Sequence, residues 1–207
     1  MGPSVLMTSM VNGFGRVATS LAGTRVLFDG IPAALVYTRS DIVSVVTPYA
    51  LDGKTETVVQ VEYLGQRSAG LSFPVVATSP GVFKLGNAEG GVGIWALNLD
   101  GSLNSPSNPA GAGSVVVLRA TGGGQTDPAG IDGCLATAPY PAPKSVVMVT
   151  IDGVQAELLY AGAAPSEIAV LLQINAVVPT GLAASDRAEF VLIVGGTVAP
   201  PGTLVIR

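Results

Sequence analysis

The sequence predicts an all-β protein composed of two related units. Its apolar residues fall in short runs of Val, Leu and Ile, and 27 Gly and 15 Pro separate these runs with turns. Hydrophobic residues make up 48% of the chain and charged residues only 12%, a balance that favours buried cores over a disordered chain. A third observation, an Asp-Gly turn that recurs between similar apolar runs, predicts the two-unit organisation.

Five apolar runs predict the strands of the first half. Residues 57–63 alternate between apolar and polar, which places Val59 and Val61 on one face of their strand. The tripeptide Leu64-Gly65-Gln66 is typical of a hairpin turn. The predicted strands are Val26–Phe28, Ala33–Tyr37, Ile42–Val46, Thr57–Tyr63 and Leu71–Val76.

Two further strands, Gly93–Asn98 and Ser114–Ala120, flank a polar stretch. The second run is apolar throughout and ends before three glycines, so we expect a strand buried on both faces. Helical turns are expected only around Ala163–Glu167 and Leu182–Arg187. Three prolines within Ala136–Pro143 predict an extended connector.

An internal repeat links the two halves of the chain. Residues 26–37, VLFDGIPAALVY, match residues 149–160, VTIDGVQAELLY. The match resumes at residues 46–48 and 177–179. Because order and spacing agree together, we interpret the repeat as a duplication.

The two predicted units are unequal. The first spans residues 1–78 and the second spans residues 79–207, with the matching motif much deeper inside the second. Only Met10–Arg16 precedes the motif of the first unit as a source of opening strands. We therefore expect the first unit to be abbreviated at its N-terminus and to expose an unpaired sheet edge, which favours association.

Each copy of the motif contains an Asp-Gly pair between two strands. Such a pair supplies the positive φ values that a tight hairpin requires. We therefore interpret Asp29 and Asp152 as hairpin corners. A catalytic pair of aspartates, as in aspartic proteases, lies in Asp-Thr-Gly or Asp-Ser-Gly loops, which this sequence lacks.

Five segments of the chain together resemble a bacterial module. They are residues 28–37, 79–83, 96–110, 113–128 and 151–165. From about Leu21 onward the chain is similar to an uncharacterised C-terminal domain repeated in large secreted proteins of soil acidobacteria. The resemblance implies an all-β fold with two tandem immunoglobulin-like (IPT/TIG-like) β-sandwich units, attached to extracellular proteins. It implies no activity and no catalytic residue, and the Gly-rich opening segment of the module is largely absent here.

The residue inventory argues against most catalytic chemistry. The chain has no His, which removes Ser-His-Asp and Cys-His catalysis and imidazole zinc ligands. Its single cysteine, Cys134, has no base beside it in sequence, so we expect a small filler side chain. We predict no enzyme. The alternative is a carboxylate-dependent polysaccharide hydrolase, which needs two carboxylates about 5–9 Å apart in a cleft.

One loop offers oxygen ligands at alternate positions. Asn98, Asp100, Ser102 and Asn104 follow the ligand rhythm of calcium loops, although no closing Glu follows them. The Asp100-Gly101 pair alone explains the loop as a hairpin turn. No cofactor is predicted beyond this possible calcium ion.

Four aromatic side chains are candidates for a sugar-stacking surface, namely Trp95, Tyr49, Tyr63 and Tyr140. Tyr140 lies in the Pro-rich connector and is the better candidate for a surface aromatic that binds a ligand. Trp95 lies in an apolar strand, so we expect it to pack in the core.

Charge and location complete the prediction. The net charge is −4, and the ten Lys and Arg are scattered, so nucleic acid is not expected as a partner. No apolar run is long enough to insert into a membrane. We expect a secreted or cell-surface structural, adhesion or binding-accessory module with a polysaccharide or protein partner. A third hypothesis is a surface subunit that self-assembles by strand exchange at the edge of its N-terminal unit.

Overall fold

The structure, a computed structural model, describes residues 1–85 and 93–207. It is all-β: among the described residues there are antiparallel sheets, one 3-10 turn at Tyr49–Leu51 and no α-helix. The chain divides into two compact units. Unit 1 comprises Met1–Ala77, Ala129–Pro139 and Pro165–Ala169, and unit 2 comprises Thr78–Pro128, Tyr140–Ala164 and Val170–Arg207.

Unit 1 contains eight short strands in two sheets. One sheet has the order β1-β4-β5, and the other has the order β3-β2-β6-β7, with β8 also pairing with β6. The strands are β1 (Met7–Thr8), β2 (Thr24–Phe28), β3 (Ile31–Pro32), β4 (Ala34–Thr38), β5 (Val43–Val46), β6 (Glu56–Tyr63), β7 (Gln66–Arg67) and β8 (Leu71–Pro74).

The described residues of unit 2 form twelve strands. One sheet has the order β10-β11-β17-β16 with β9 also on β11, a second has the order β15-β14-β18-β19 with β20 also on β18, and β12 pairs with β13. The strands are β9 (Gly81–Val82), β10 (Ala96–Asn98), β11 (Val115–Thr121), β12 (Thr126–Asp127), β13 (Ala142–Pro143), β14 (Val147–Ile151), β15 (Val154–Gln155), β16 (Leu158–Ala163), β17 (Leu172–Val177), β18 (Ser185–Val194), β19 (Thr197–Val198) and β20 (Gly202–Ile206).

The strands of the two units pair in the same order. The sheet formed by β2, β3, β6, β7 and β8 corresponds to that formed by β14, β15, β18, β19 and β20. The hairpin β4–β5 corresponds to β16–β17, and both hairpins carry a register shift at the same place. The shift lies between Leu35 and Tyr37 in one and between Leu158 and Tyr160 in the other.

The repeated Asp-Gly pairs form hairpin corners, as the sequence predicts. Asp29 has a φ of 50° and Gly30 a φ of 81°, and Asp152 and Gly153 have 52° and 78°. Two successive positive φ values define the type I′ turn, whose twist matches that of the flanking strands. These turns set the register of β2 on β3 and of β14 on β15.

The core of unit 2 is closed on both sides. Side chains from β11, β18 and β20 pack in one cluster, in which Leu118, Phe190 and Leu204 are at most 1% exposed. Burying a side chain of this size contributes about 1.5–3 kcal/mol to stability. Unit 2 is therefore β-sandwich-like, with two sheets around one apolar layer.

The core of unit 1 is completed by segments from later in the chain. The amide of Val17 donates to the carbonyl oxygen of Gly133 at 2.8 Å, and that of Ala136 donates to the backbone carbonyl oxygen of Glu167 at 2.7 Å. Ala136 and Ala169 are 4% and 7% exposed. Residues 129–139 and 165–169 therefore supply part of the packing that the N-terminal strands leave incomplete.

Three local predictions are wrong. Neither helical turn forms: β16 ends at Ala163, and β18 begins at Ser185. The strand β11 is buried on one face only, where Val116, Leu118 and Ala120 lie, because its alternate residues face away from the core. A continuous apolar run therefore did not distinguish a fully buried strand from a half-buried one.

Candidate functional site

The best candidate for a binding surface is the outer face of the sheet β10-β11-β17-β16 in unit 2. Directly paired residues share a face of a sheet. Arg119 pairs with Gln173, and Gln173 pairs with Gly162. The next row contains Asn175 and Tyr160, which also pair. Polar side chains thus line up across three neighbouring strands, on the face opposite the core.

Trp95 joins this outer face at its β10 end. Its neighbours Ile94 and Ala96 are 2% and 0% exposed, so strand alternation turns Trp95 away from the core. The Trp95 amide donates to the carbonyl oxygen of Phe83 at 2.8 Å, and the Phe83 amide donates to that of Arg119 at 3.2 Å, so residue 83 lies between Trp95 and β11. The expectation that Trp95 packs in the core is wrong, because the ring is only half-buried and lies on the outer side.

Two tyrosines occupy the other end of the face. The Tyr160 hydroxyl donates to the carbonyl oxygen of Ala163 at 2.7 Å. Burial raises the pKa of Tyr160, the neighbouring Tyr140 raises it further, and the Arg119 guanidinium opposes the shift. Tyr140 is 39% exposed, and the next carbonyl, that of Pro141, accepts from the Ala163 amide at 2.7 Å. The structure therefore brings the predicted surface aromatic beside Tyr160.

The polar groups of this face are only partly satisfied. The Gln173 amide nitrogen Nε2 donates to Oδ1 of Asn175 at 2.9 Å. Nη1 of Arg119 is shielded from solvent and has no hydrogen-bond partner among the described residues. A shielded donor without an acceptor is destabilising by about 1–3 kcal/mol. An oxygen acceptor that reached this guanidinium would relieve that cost.

The predicted calcium ligands lie at the end of β10 and in the loop that follows it, namely Asn98, Asp100, Ser102 and Asn104. Oδ1 of Asp100 accepts hydrogen bonds from the amide of Ser102, at 2.9 Å, and from its hydroxyl. These bonds, the hydroxyl first, lower the pKa of Asp100. Oδ1 of Asn98 accepts from Nδ2 of Asn104 at 3.3 Å. The four side chains therefore form two hydrogen-bonded pairs, as is typical of a polar turn.

Asn104 has a further structural role. It is 7% exposed, and its Oδ1 accepts from the amide of Val205 at 2.9 Å while its Nδ2 donates to the carbonyl of Val205 at 2.8 Å. These two hydrogen bonds pair the Asn104 amide with the Val205 backbone as a neighbouring strand would, and they hold the edge of β20 in place. Calcium binding by the loop remains a prediction, and Asn104 would have to leave Val205 to serve it.

A shallow open groove runs beside this loop. Its volume is about 270 Å³. The groove is lined by Asn98, Leu99, Asp100, Asn108, Pro109, Ala110, Gly111 and Ser114.

The carboxylates of unit 1 serve turns and ion pairs. Asp29 accepts from Nζ of Lys54 at 2.7 Å and from the amide of Val58 at 2.8 Å, and these contacts, Lys54 first, lower its pKa to about 2. Glu62 lies between Arg25 and Arg67. Within residues 1–85 and 93–207 no three His, Cys, Asp or Glu side chains come together.

Cys134 lies in the part of unit 1 formed by residues 129–139. Its sulfur accepts a hydrogen bond from Nε of Arg16 at 3.1 Å, and the side chain is half-buried. The contact helps to hold the segment against the N-terminal residues. This placement agrees with a packing role.

Sequence reasoning missed the outer face of unit 2 because it treated β11 as fully buried. The signal was present in the chain: Arg119 and Gln173 are polar residues within apolar strands, at positions that alternate with buried ones. Two such interruptions in neighbouring strands indicate one exposed face. Their pairing could not be found without the register.

Two comparisons with known proteins were without a match. Neither the protein-family models nor the curated proteins gave a match to this chain. The resemblance to the acidobacterial module therefore stays a prediction. Within the described residues no helix has both the length and the apolar character to cross a membrane.

Proposed function

We propose that this protein is a non-catalytic binding module of two immunoglobulin-like units, whose outer face in unit 2 binds an extracellular polysaccharide. The observation that carries the proposal is the outer face of this sheet, where Arg119 pairs with Gln173 and, in the next row, Asn175 pairs with Tyr160. Trp95 lies on the same side of the sheet. Aromatic rings offer apolar faces to sugar rings, and the amide and guanidinium groups offer hydrogen bonds to hydroxyls. A secreted or cell-surface location belongs to the same proposal.

The dimensions of the face suit a chain-like ligand. Two strand spacings separate Arg119 on β11 from Tyr160 on β16, which corresponds to roughly 10 Å. Tyr140 extends the face past β16.

The immunoglobulin-like assignment rests on the paired strand order. Each unit repeats a hairpin at its Asp-Gly turn, a second hairpin with a bulge, and a long strand that pairs on both sides. Antiparallel sheets of this kind facing a common core are typical of immunoglobulin-like sandwiches. A duplication accounts for the shared bulge position more simply than chance.

The hydrolase alternative has less support. It needs two carboxylates at a suitable separation in a cleft. Asp29, Asp41, Glu62 and Asp186 each contact a Lys or Arg side chain, and Asp100 is bonded to Ser102. Carboxylates held in this way serve structure, so a binding role is the better proposal.

The experiment is a polysaccharide binding screen by affinity electrophoresis with the full chain. Trp95→Ala and Tyr140→Ala are expected to abolish retardation by the polysaccharide that the wild type binds. Phe14→Ala is the control, because Phe14 is 91% exposed but belongs to unit 1. Thermal unfolding of each variant would show that the fold persists. Retardation that survives both substitutions, or no retardation by any polysaccharide, would overturn the proposal.

A further inference from the structure

Two strand edges of unit 1 have no partner among the described residues. The strand β5 is last in the order β1-β4-β5, so only one of its edges is paired. The strand β8 pairs with β6 alone. An unpaired edge presents amide and carbonyl groups that can bond another strand.

The corresponding edges of unit 2 are both covered. The strand β17, which corresponds to β5, pairs along its other edge with residues 115–120 of β11. The strand β20, which corresponds to β8, is bridged on its free edge by Gly93 and Ala110. Residues 93–121, a continuous part of the chain that ends with β11, therefore cover both edges. Unit 1 has no equivalent of it among the described residues.

The inner face of unit 1 shows the consequence of this difference. Phe73 pairs with Thr57, and Leu204 pairs with Ala188 at the corresponding place in unit 2. Leu204 is 1% exposed, but Phe73 is 48% exposed. Leu71, on the same face as Phe73, is 63% exposed. The position that faces the core as Leu204 in unit 2 thus faces solvent as Phe73 in unit 1.

The correspondence with unit 2 places the open edge of β5 beside the exposed apolar face that carries Leu71 and Phe73. Leu35 pairs with Val45, and Leu158 pairs with Ala176, so Val45 corresponds to Ala176. The amide of Val178, two residues further, donates to the carbonyl oxygen of Ser114, the residue before β11. Because bonding direction alternates along a strand, Val43, Val45 and Thr47 direct their amides to the open edge.

We propose that this groove of unit 1, between the β5 edge and the exposed Leu71 and Phe73, accepts an extended strand from another polypeptide. The strand would pair antiparallel with β5, as β11 pairs with β17. The inference is independent of polysaccharide binding, because it concerns the other unit. Strand addition of this kind obtains affinity from backbone bonds and specificity from alternate side chains.

The chemistry of the groove defines the occupant. The inward side chains of β5 and β8, namely Val43, Val45, Leu71 and Phe73, are all uncharged and apolar. In unit 2 the strand at this position contributes Val116, Leu118 and Ala120 to the core. The partner is therefore a strand with aliphatic residues at alternate positions and no charge among them.

The test is a titration of the full chain with a labelled synthetic peptide of residues 110–121, AGAGSVVVLRAT, followed by fluorescence anisotropy. We expect saturable binding. Phe73→Glu is expected to weaken it at least about tenfold, because a charge on the groove floor cannot be buried unpaired. Val58→Glu is the matched control, since Val58 is 41% exposed on the opposite face of the same sheet. It is expected to change the affinity by less than about twofold.

A second peptide and a mass measurement complete the test. A peptide with Asp at the positions of Val116 and Leu118 is expected not to bind. Binding of both peptides alike, no binding of either, or equal losses in the two variants would overturn the proposal. If sedimentation shows a dimer that Phe73→Glu dissociates and the peptide does not bind, the occupant is a second copy and the proposal is wrong.

Discussion

The two units have the same strand order but differ in closure. In unit 2, β11 and the bridged edge of β20 complete the sandwich, and its core side chains are almost fully buried. In unit 1, the corresponding strands β5 and β8 remain edges, and Phe73 and Leu71 stay exposed. The comparison shows that the hairpins around the Asp-Gly turns determine the topology but not the closure of the core.

Unit 1 compensates in part with segments that interrupt unit 2 in the sequence. Residues 129–139 and 165–169 bond one another and the N-terminal residues, as at Leu135, whose amide donates to Gly15 at 2.9 Å. These segments are loops without long strands. They cover the end of the core near Val17 and leave the β5 and β8 edges free among the described residues.

The largest expected effect is on a fragment of residues 1–77. It contains every strand of unit 1 but lacks residues 129–139 and 165–169. Because Val17 loses its bond to Gly133 and the core loses Ala136, we expect the fragment not to unfold cooperatively. Circular dichroism on heating, with the full chain as reference, measures this. A sharp transition in the fragment would show that unit 1 needs no later segment.

A pair of equivalent substitutions tests the difference in core burial. Leu204→Ala removes a fully buried side chain of unit 2, so we expect a loss of about 2–5 kcal/mol in the free energy of unfolding. Phe73→Ala, at the corresponding place in unit 1, should cost about 1 kcal/mol or less, because the ring is half-exposed. Guanidinium unfolding followed by circular dichroism gives both values. Equal losses would mean that Phe73 is buried.

A smaller effect is expected at Asn104. Asn104→Ala leaves both backbone groups of Val205 without the amide that now bonds them, which should cost about 1–3 kcal/mol. Asp100→Ala, in the same loop, is the control and should cost less, since Asp100 is exposed. Both are compared by thermal unfolding in EDTA and in calcium. If Asn104→Ala is less stable than the wild type only in calcium, the result would favour a calcium-binding role for Asn104.

The smallest effect concerns the Asp29 turn. The folded pKa of Asp29, about 2, lies below its ordinary value of 3.8, so its contribution to stability is present above pH 4 and is lost as the pH falls through 2. Asn is as suitable as Asp at this turn position, so Asp29→Asn preserves the turn but removes the ion pair with Lys54. The variant should therefore melt a few degrees below the wild type at pH 7.

The control for that prediction is Asp152→Asn. Asp152 occupies the corresponding turn but has no ion-pair partner among the described residues. We expect the melting temperatures of this variant and of the wild type to stay close from pH 2 to pH 7. A difference between wild type and Asp29→Asn that persists unchanged at pH 2 would contradict the ion-pair account.

The sequence was sufficient for the topology of each hairpin. The Asp-Gly pairs and the alternation in 57–63 are local features whose chemistry permits few conformations. The all-β class followed from the same features. Several elements depended instead on tertiary pairing: β18 begins at Ser185, where a helical turn was expected, because β14 and β20 pair with its two edges.

The candidate site was less accessible to sequence reasoning. Tyr140 could be proposed from its Pro-rich surroundings, but its position beside Tyr160 depends on the bond from Ala163 to Pro141. Trp95 was assigned to the core because a strand with apolar neighbours does not reveal which of its faces is covered. Register and sheet order, which are long-range, decide such faces.

The most direct test of the difference between the units is residue-resolved amide hydrogen exchange of the full chain without added ligand. It compares Val43, Val45 and Thr47 at the β5 edge with Ile174, Ala176 and Val178 at the corresponding positions of unit 2. We predict rapid exchange for the first three and strong protection for the second three, because β11 bonds only the second set. Equal protection of the two sets would contradict the open edge of unit 1.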